Sequence, residues 1–112
     1  MFKLDLSDSY TWPVEVSMPD NGKAKKLRFD ASFLRLSQPE IDELMNQAGD
    51  GEISDIEFCN RVLDGWKGVQ DQDGNAFEYS EANKEILLKI YPVAASIVEA
   101  YGNSLTAGRR KN

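Results

Sequence analysis

The stretch Leu27-Arg28-Phe29-Asp30-Ala31-Ser32-Phe33-Leu34-Arg35-Leu36-Ser37-Gln38-Pro39-Glu40-Ile41-Asp42-Glu43-Leu44-Met45 changes its period half-way along. Leu27, Phe29, Ala31 and Phe33 alternate with polar residues, the period of a strand with one buried face. Beyond Ser37 the apolar residues fall at Ile41, Leu44, Met45 and Ala48, which is i, i+3, i+4 and i+7 and makes one stripe on a helix. Between the two periods lies a capping box. Ser37 is placed to accept a hydrogen bond from the third helical residue, and Glu40 to reach back to the Ser37 N–H. The chain therefore passes from sheet to helix at one junction. Segregated strands and helices indicate an α+β fold, an N-terminal antiparallel β-hairpin or small sheet followed by three to four packed helices.

Towards the N-terminus, Val14, Val16 and Met18 alternate in the same way, and Pro19-Asp20-Asn21-Gly22 supplies turn chemistry. Proline fixes its own φ, and Asn-Gly tolerates positive φ. Residues 13–33 are expected to form a β-hairpin. Phe2, Leu4 and Leu6 predict a further strand beside it. Lys23, Lys25, Lys26 and Arg28 cluster just past the turn. A nucleic-acid patch is one reading of them; a solvated strand face that discourages edge pairing is the plainer one.

Towards the C-terminus, Gly49-Asp50-Gly51 ends the first helix and Ser54-Asp55-Ile56-Glu57 forms a second capping box. Ile53 and Phe58 have the spacing of a hydrophobic staple. With Phe58, Val62, Leu63 and Trp66 facing a core, this helix is expected to run to about Gly65. Gly68 to Asn75 reads as a loop with Asp73-Gly74 as its turn. Ser80 is a good N-cap for a third helix carrying Ile86, Leu87 and Ile90. Pro92 either kinks that helix or opens a fourth. Ala94, Ile97, Val98, Tyr101 and Leu105 continue a helical stripe, and Gly108 marks its expected end. The reading is one domain over 1–112: mainly β over 1–36, mainly α over 37–108, and a flexible basic tail over 109–112.

The 112 residues include no histidine and one cysteine, Cys59. Ser-His and Cys-His nucleophiles, His-based zinc sites and an intrachain disulfide are thereby excluded. Phosphate-binding glycine motifs are absent, so neither a catalytic residue nor a cofactor is assigned. The net charge is −6, with the acidic excess concentrated in residues 39–82. Such a segment repels nucleic acid and anionic lipid, so neither is expected as a partner. No apolar run reaches the ~20 residues of a membrane span. Met1-Phe2-Lys3-Leu4-Asp5 lacks the apolar stretch of a signal peptide, and the expected compartment is a cytoplasm.

Two segments imitate calcium loops. With Gly51 at the sixth loop position, Asp50, Ile53 and Glu57 match positions five, eight and twelve. Asn46 and Ala48 then stand where carboxylates should bind, and two capped helices joined by a Gly-Asp-Gly turn explain the same residues. Asp71-Gln72-Asp73-Gly74-Asn75 has acidic residues at positions one and three, but Ala76 and Ala82 at six and twelve. It reads as a polar turn. No metal is assigned.

Gly65-Trp66-Lys67-Gly68-Val69 stands out because two glycines bracket a tryptophan ahead of an acidic loop. Trp66 is read either as a core residue at a helix end or as an anchor for a partner, since tryptophan dominates interface energetics when it fills a pocket. Trp66, Val69 and Tyr101 are the candidate partner-binding residues.

The elements resemble a family in their order. Trp12-Pro13-Val14-Glu15-Val16 and the Pro-Asp-Asn-Gly turn lead into Leu27 to Arg35, then a capped helix with Glu40 and Leu44. Val62 to Asp71, Asp73-Gly74, Phe77-Glu78-Tyr79-Ser80-Glu81 and Ala100-Tyr101 follow. The chain is similar in this to the tail assembly chaperones of tailed bacteriophages and prophages. The resemblance implies a non-catalytic protein of the infected bacterial cytoplasm that is absent from the mature virion. Its implied partners are the tape measure protein and tail tube subunits; self-association is a secondary hypothesis, motivated by exposed strand edges and by the need to cover a long client. Members of such families often come in two forms, the longer made by a programmed ribosomal frameshift, and this chain would suit the short form. Another phage head or tail completion or structural protein is the alternative, and a degenerate EF-hand-like calcium-binding module over residues 46–57 is a lesser one.

Overall fold

The computed structural model describes residues 7–107. The expected strand at Phe2, Leu4 and Leu6, the helix stop at Gly108 and the basic tail lie outside the described residues. Within them the chain has an α+β arrangement. The order is β1 (Ser9–Asp20), β2 (Lys23–Leu34), α1 (Gln38–Gly49), α2 (Asp55–Val62), β3 (Leu63–Lys67), α3 (Glu81–Leu88) and α4 (Val93–Thr106). The strands form one antiparallel sheet in the order β1-β2-β3.

The hairpin is longer than its expected 13–33 span, and its turn is as the sequence indicates. Asn21 and Gly22 have φ of 48° and 82°, the left-handed pair that matches the twist of two flanking strands. Tyr10↔Phe33, Trp12↔Ala31, Val14↔Phe29 and Val16↔Leu27 face each other across it. A two-residue turn makes Asp20↔Lys23 a hydrogen-bonded pair, so even-numbered β1 residues bond to β2 and odd-numbered ones face the edge away from β2. Pro13 and Pro19 are both odd. Neither removes a bond to β2, and each deletes a donor from that outer edge.

Both capping boxes form. The Ser37 hydroxyl accepts from the Glu40 N–H at 3.3 Å, and Glu40 Oε1 accepts from the Ser37 N–H at 2.8 Å. That N–H, with the hydroxyl adding to it, holds the Glu40 carboxyl below its ordinary pKa. Ser54 and Glu57 repeat the arrangement at 3.1 Å in each direction. Arg61 on α2 donates to the Gln47 side chain on α1, tying the two helices together.

The second helix stops three residues short of its expected end. Leu63 has φ −93° and ψ 122°, an extended backbone, and opens β3. Ala31↔Trp66 and Ser32↔Gly65 are regular pairs, but Phe33 faces Leu63, so Asp64 is an extra residue in a β-bulge. Three residues apart on a regular strand, Leu63 and Trp66 point to opposite faces. The bulge turns both inward, where they are 2% and 8% exposed. β3 also covers the second edge of β2.

The core lies between the sheet and the helices. α4 buries Val93, Ala94, Ile97, Ala100 and Tyr101, a helical stripe that crosses β1 and packs on α2. An aromatic chain runs through it. Tyr10–Phe33, Phe33–Tyr101 and Phe58–Tyr101 meet edge-on with ring centroids 5.9, 5.2 and 5.5 Å apart, the geometry that ring quadrupoles favour. The Tyr10 hydroxyl lies 2.8 Å from Ser104 Oγ, which joins β1 to the end of α4.

Cys59 is fully buried, and its Sγ–H donates to the Ala94 carbonyl at 3.5 Å. Burial above all pushes the thiol up from 9.0 to about 12, with the Asp55 carboxylate adding to the rise and the Lys84 charge opposing it. Three units leave about a thousandfold less thiolate at neutral pH. Native protein is therefore expected to react with Ellman's reagent at least ~100-fold more slowly than urea-unfolded protein. Equal rates in the two states would show that the thiol is open to solvent.

Candidate functional site

The helices cover only part of the hairpin. Phe29, Ala31 and Phe33 on β2 are buried, whereas Lys23 to Arg28 are all exposed. Leu27 continues the inward-facing alternation of Phe29 and Ala31, yet it is 42% exposed, because among the described residues the helical layer does not extend over it. The far half of the hairpin overhangs the body of the protein.

Under this overhang lies an open groove of about 530 Å³. Val16, Met18 and Leu27 form its strand wall, Val69 its loop wall, and Leu87 and Ile90 its floor towards the helices. Lys25 and Arg28 flank the strand side and Asp71 the loop side. Met18 also borders a shallower hollow at the hairpin tip, where Tyr91 is 79% exposed. A strip of large apolar side chains thus reaches from Val69 to Tyr91. Patches of this kind on a folded surface mark sites of association.

The loop wall is a small hairpin of its own. Gly68 leaves β3 with φ +88°. Gln70 pairs with Ala76, and the Phe77 N–H donates to the Val69 carbonyl at 2.8 Å. Asp71 Oδ1 accepts from the Asp73 and Asn75 N–H groups at 2.9 and 3.0 Å, so this carboxylate holds its own turn. Glu57 likewise spends an oxygen on the Ser54 cap. Among the described residues no cluster of three or more acidic or sulfur side chains is placed to hold a metal ion.

Trp66 is 8% exposed and stitches the loop to the sheet. Its Nε1–H donates to the Phe77 carbonyl at 2.7 Å, its ring lies parallel to Phe77 at 6.3 Å, and Tyr79 meets it edge-on at 5.0 Å. Tyr101, 1% exposed, sits in the aromatic chain of the core. Of the three candidate residues only half-buried Val69 lines the groove. The structure does not bring Trp66 or Tyr101 to that surface.

The third helix also differs from its sequence reading. Its buried stripe is Lys84, Leu87 and Leu88, while Ile86 and Ile90 are 54% and 42% exposed. Ile86 falls on the face opposite this stripe, and Ile90 lies beyond the helix, which ends at Leu88. The Lys84 amine lies 6.0 Å from the Tyr79 ring and pairs with Glu81 at 3.4 Å, so its stem packs inward. The signal available in the sequence was Tyr91 ahead of Pro92, a large aromatic residue outside the assigned helical stripes.

The model of the YdaY prophage protein family matches residues 50–112. This is more than half of the chain. The chain belongs to the YdaY prophage protein family. No curated protein and no solved structure matches it. The YdaY match covers α2 through α4, and with them the loop wall and floor of the groove. The hairpin wall, with Met18 and Leu27, lies outside the matched stretch.

Proposed function

We propose that this chain is a non-catalytic phage morphogenesis factor, a tail assembly chaperone that binds the tape measure protein and helps recruit tail tube subunits. The observation that carries the reading is the open apolar groove on a chain of a prophage family. A long helical client exposes apolar stripes that need temporary cover. A groove with apolar walls and charged rims accepts one face of an amphipathic helix through i, i+3 and i+4 anchors. The absence of histidine from the sequence and the buried, raised Cys59 thiol speak against nucleophilic catalysis. The proposed site of action is the host bacterial cytoplasm, with the protein absent from the mature virion.

Co-expression with the neighbouring tape measure protein tests this. The tape measure is expected to become soluble and to co-purify, and Leu27→Thr with Ile90→Thr is expected to weaken the complex at least ~10-fold. An insoluble, unbound tape measure beside a normally folded partner would count against it. Presence of the chain in purified virions would favour a head or tail completion protein instead.

A further inference from the structure

We propose that in the free protein the groove is closed by a second copy of this chain, in a two-fold dimer. The apolar centre of the groove is flanked by opposite charges. Lys25 and Arg28 line the strand wall, and Lys23 follows Lys25 on the same face of the arm. Asp71 stands on the loop wall, and Asp73 is exposed beside it. A two-fold axis running along the groove places each basic wall against the partner's acidic wall and each Leu27 against the partner copy's loop wall, where Val69 stands. A uniformly acidic occupant would meet Asp71 and Asp73, and a uniformly basic one Lys25 and Arg28. An occupant carrying both signs across an apolar centre satisfies both walls, and this surface is itself such an occupant.

The other route to self-association is obstructed. Pro13 and Pro19 interrupt the donors along the edge of β1 away from β2, so a second chain cannot extend the sheet there through an unbroken ladder. Pairing by faces rather than edges follows. This inference does not rest on the chaperone reading, since it concerns the protein alone.

Sedimentation equilibrium of the full chain from about 1 to 500 µM is the test. A monomer–dimer equilibrium is expected within this range, tightening as ionic strength falls. Leu27→Thr with Ile90→Thr is expected to weaken it at least ~10-fold with an unchanged far-UV circular dichroism spectrum. Lys25→Glu and Asp73→Lys are each expected to weaken the dimer, and the double variant to restore it, because the reversed charges meet across the two-fold. A monomer at every concentration overturns the proposal and leaves the groove to a different partner. So does a dimer indifferent to Leu27 and Ile90, or an open-ended series of oligomers.

Discussion

Trp66→Ala is expected to destabilise the protein by about 3–5 kcal/mol, the usual cost of removing a buried large aromatic side chain. Against a total of roughly 5–15 kcal/mol for a domain of this size, that is enough to unfold a sizeable fraction of the chains. Three losses combine. The ring leaves a void opposite Ala31, the strand neighbour whose small side chain makes room for it. The Phe77 carbonyl loses the indole N–H that reaches it at 2.7 Å. Phe77 and Tyr79 lose the ring that fixes the loop against β3. Thermal denaturation followed by far-UV circular dichroism should show a melting temperature lowered by more than ~10 °C. Trp66→Phe keeps most of the buried ring and deletes the N–H, for a smaller loss of about 1–3 kcal/mol. An unchanged melting temperature in the alanine variant would restore Trp66 as a surface anchor. If the loss occurs, failure of Trp66→Ala to bind a client would report on folding and not on a contact. Leu27 and Ile90 are the sounder positions for mapping one.

The elements that read well in the sequence are those whose signals are local. The Asn21-Gly22 turn and the Ser37, Ser54 and Ser80 caps each depend on a few adjacent residues, and each forms where those residues stand. β3 was hidden because its signal is not local. Val62, Leu63 and Trp66 have helical spacing, and they fit a strand only because Asp64 bulges out where β3 meets Ser32 and Phe33 of β2. That partner lies some thirty residues earlier in the chain. The groove was hidden for a related reason. Alternation marks Leu27 as facing inward, which it does, but periodicity does not say how far the helices extend along the sheet. Tyr101 presents the same difficulty in reverse. Its place on the α4 stripe was legible, whereas its burial among Phe33 and Phe58 follows from three elements converging. Tryptophan and tyrosine in a distinctive motif invite a functional reading that only tertiary packing can weigh.

The stability of this protein is expected to fall steeply above pH 10, and the side chain that controls the fall is Tyr101. Burial above all, with the Tyr10 hydroxyl and the Glu40 carboxylate adding to it, pushes its phenol from 10.0 up to about 12. In the unfolded chain the phenol ionises near pH 10, while in the folded core it stays neutral. Below pH 10 both states carry the proton, and the native packing is undiminished. Between pH 10 and about 12 the unfolded state releases a proton that the native state retains, so each step in pH favours unfolding. Cys59 acts in the same direction from pH 9 to about 12. Urea titrations at pH 8, 10 and 11.5 would trace the loss. Tyr101→Phe keeps the ring between Phe33 and Phe58 and removes the titrating group, so its curve should stay flatter above pH 10, and Cys59→Ala should flatten what remains. Tyr101→Ala, by contrast, is expected to cost about 3–5 kcal/mol at every pH, because the void it leaves breaks the aromatic chain that joins β2, α2 and α4. If Tyr101→Phe falls as steeply as the parent, the phenol is already hydrated in the native state. The alkaline transition would then belong to Cys59.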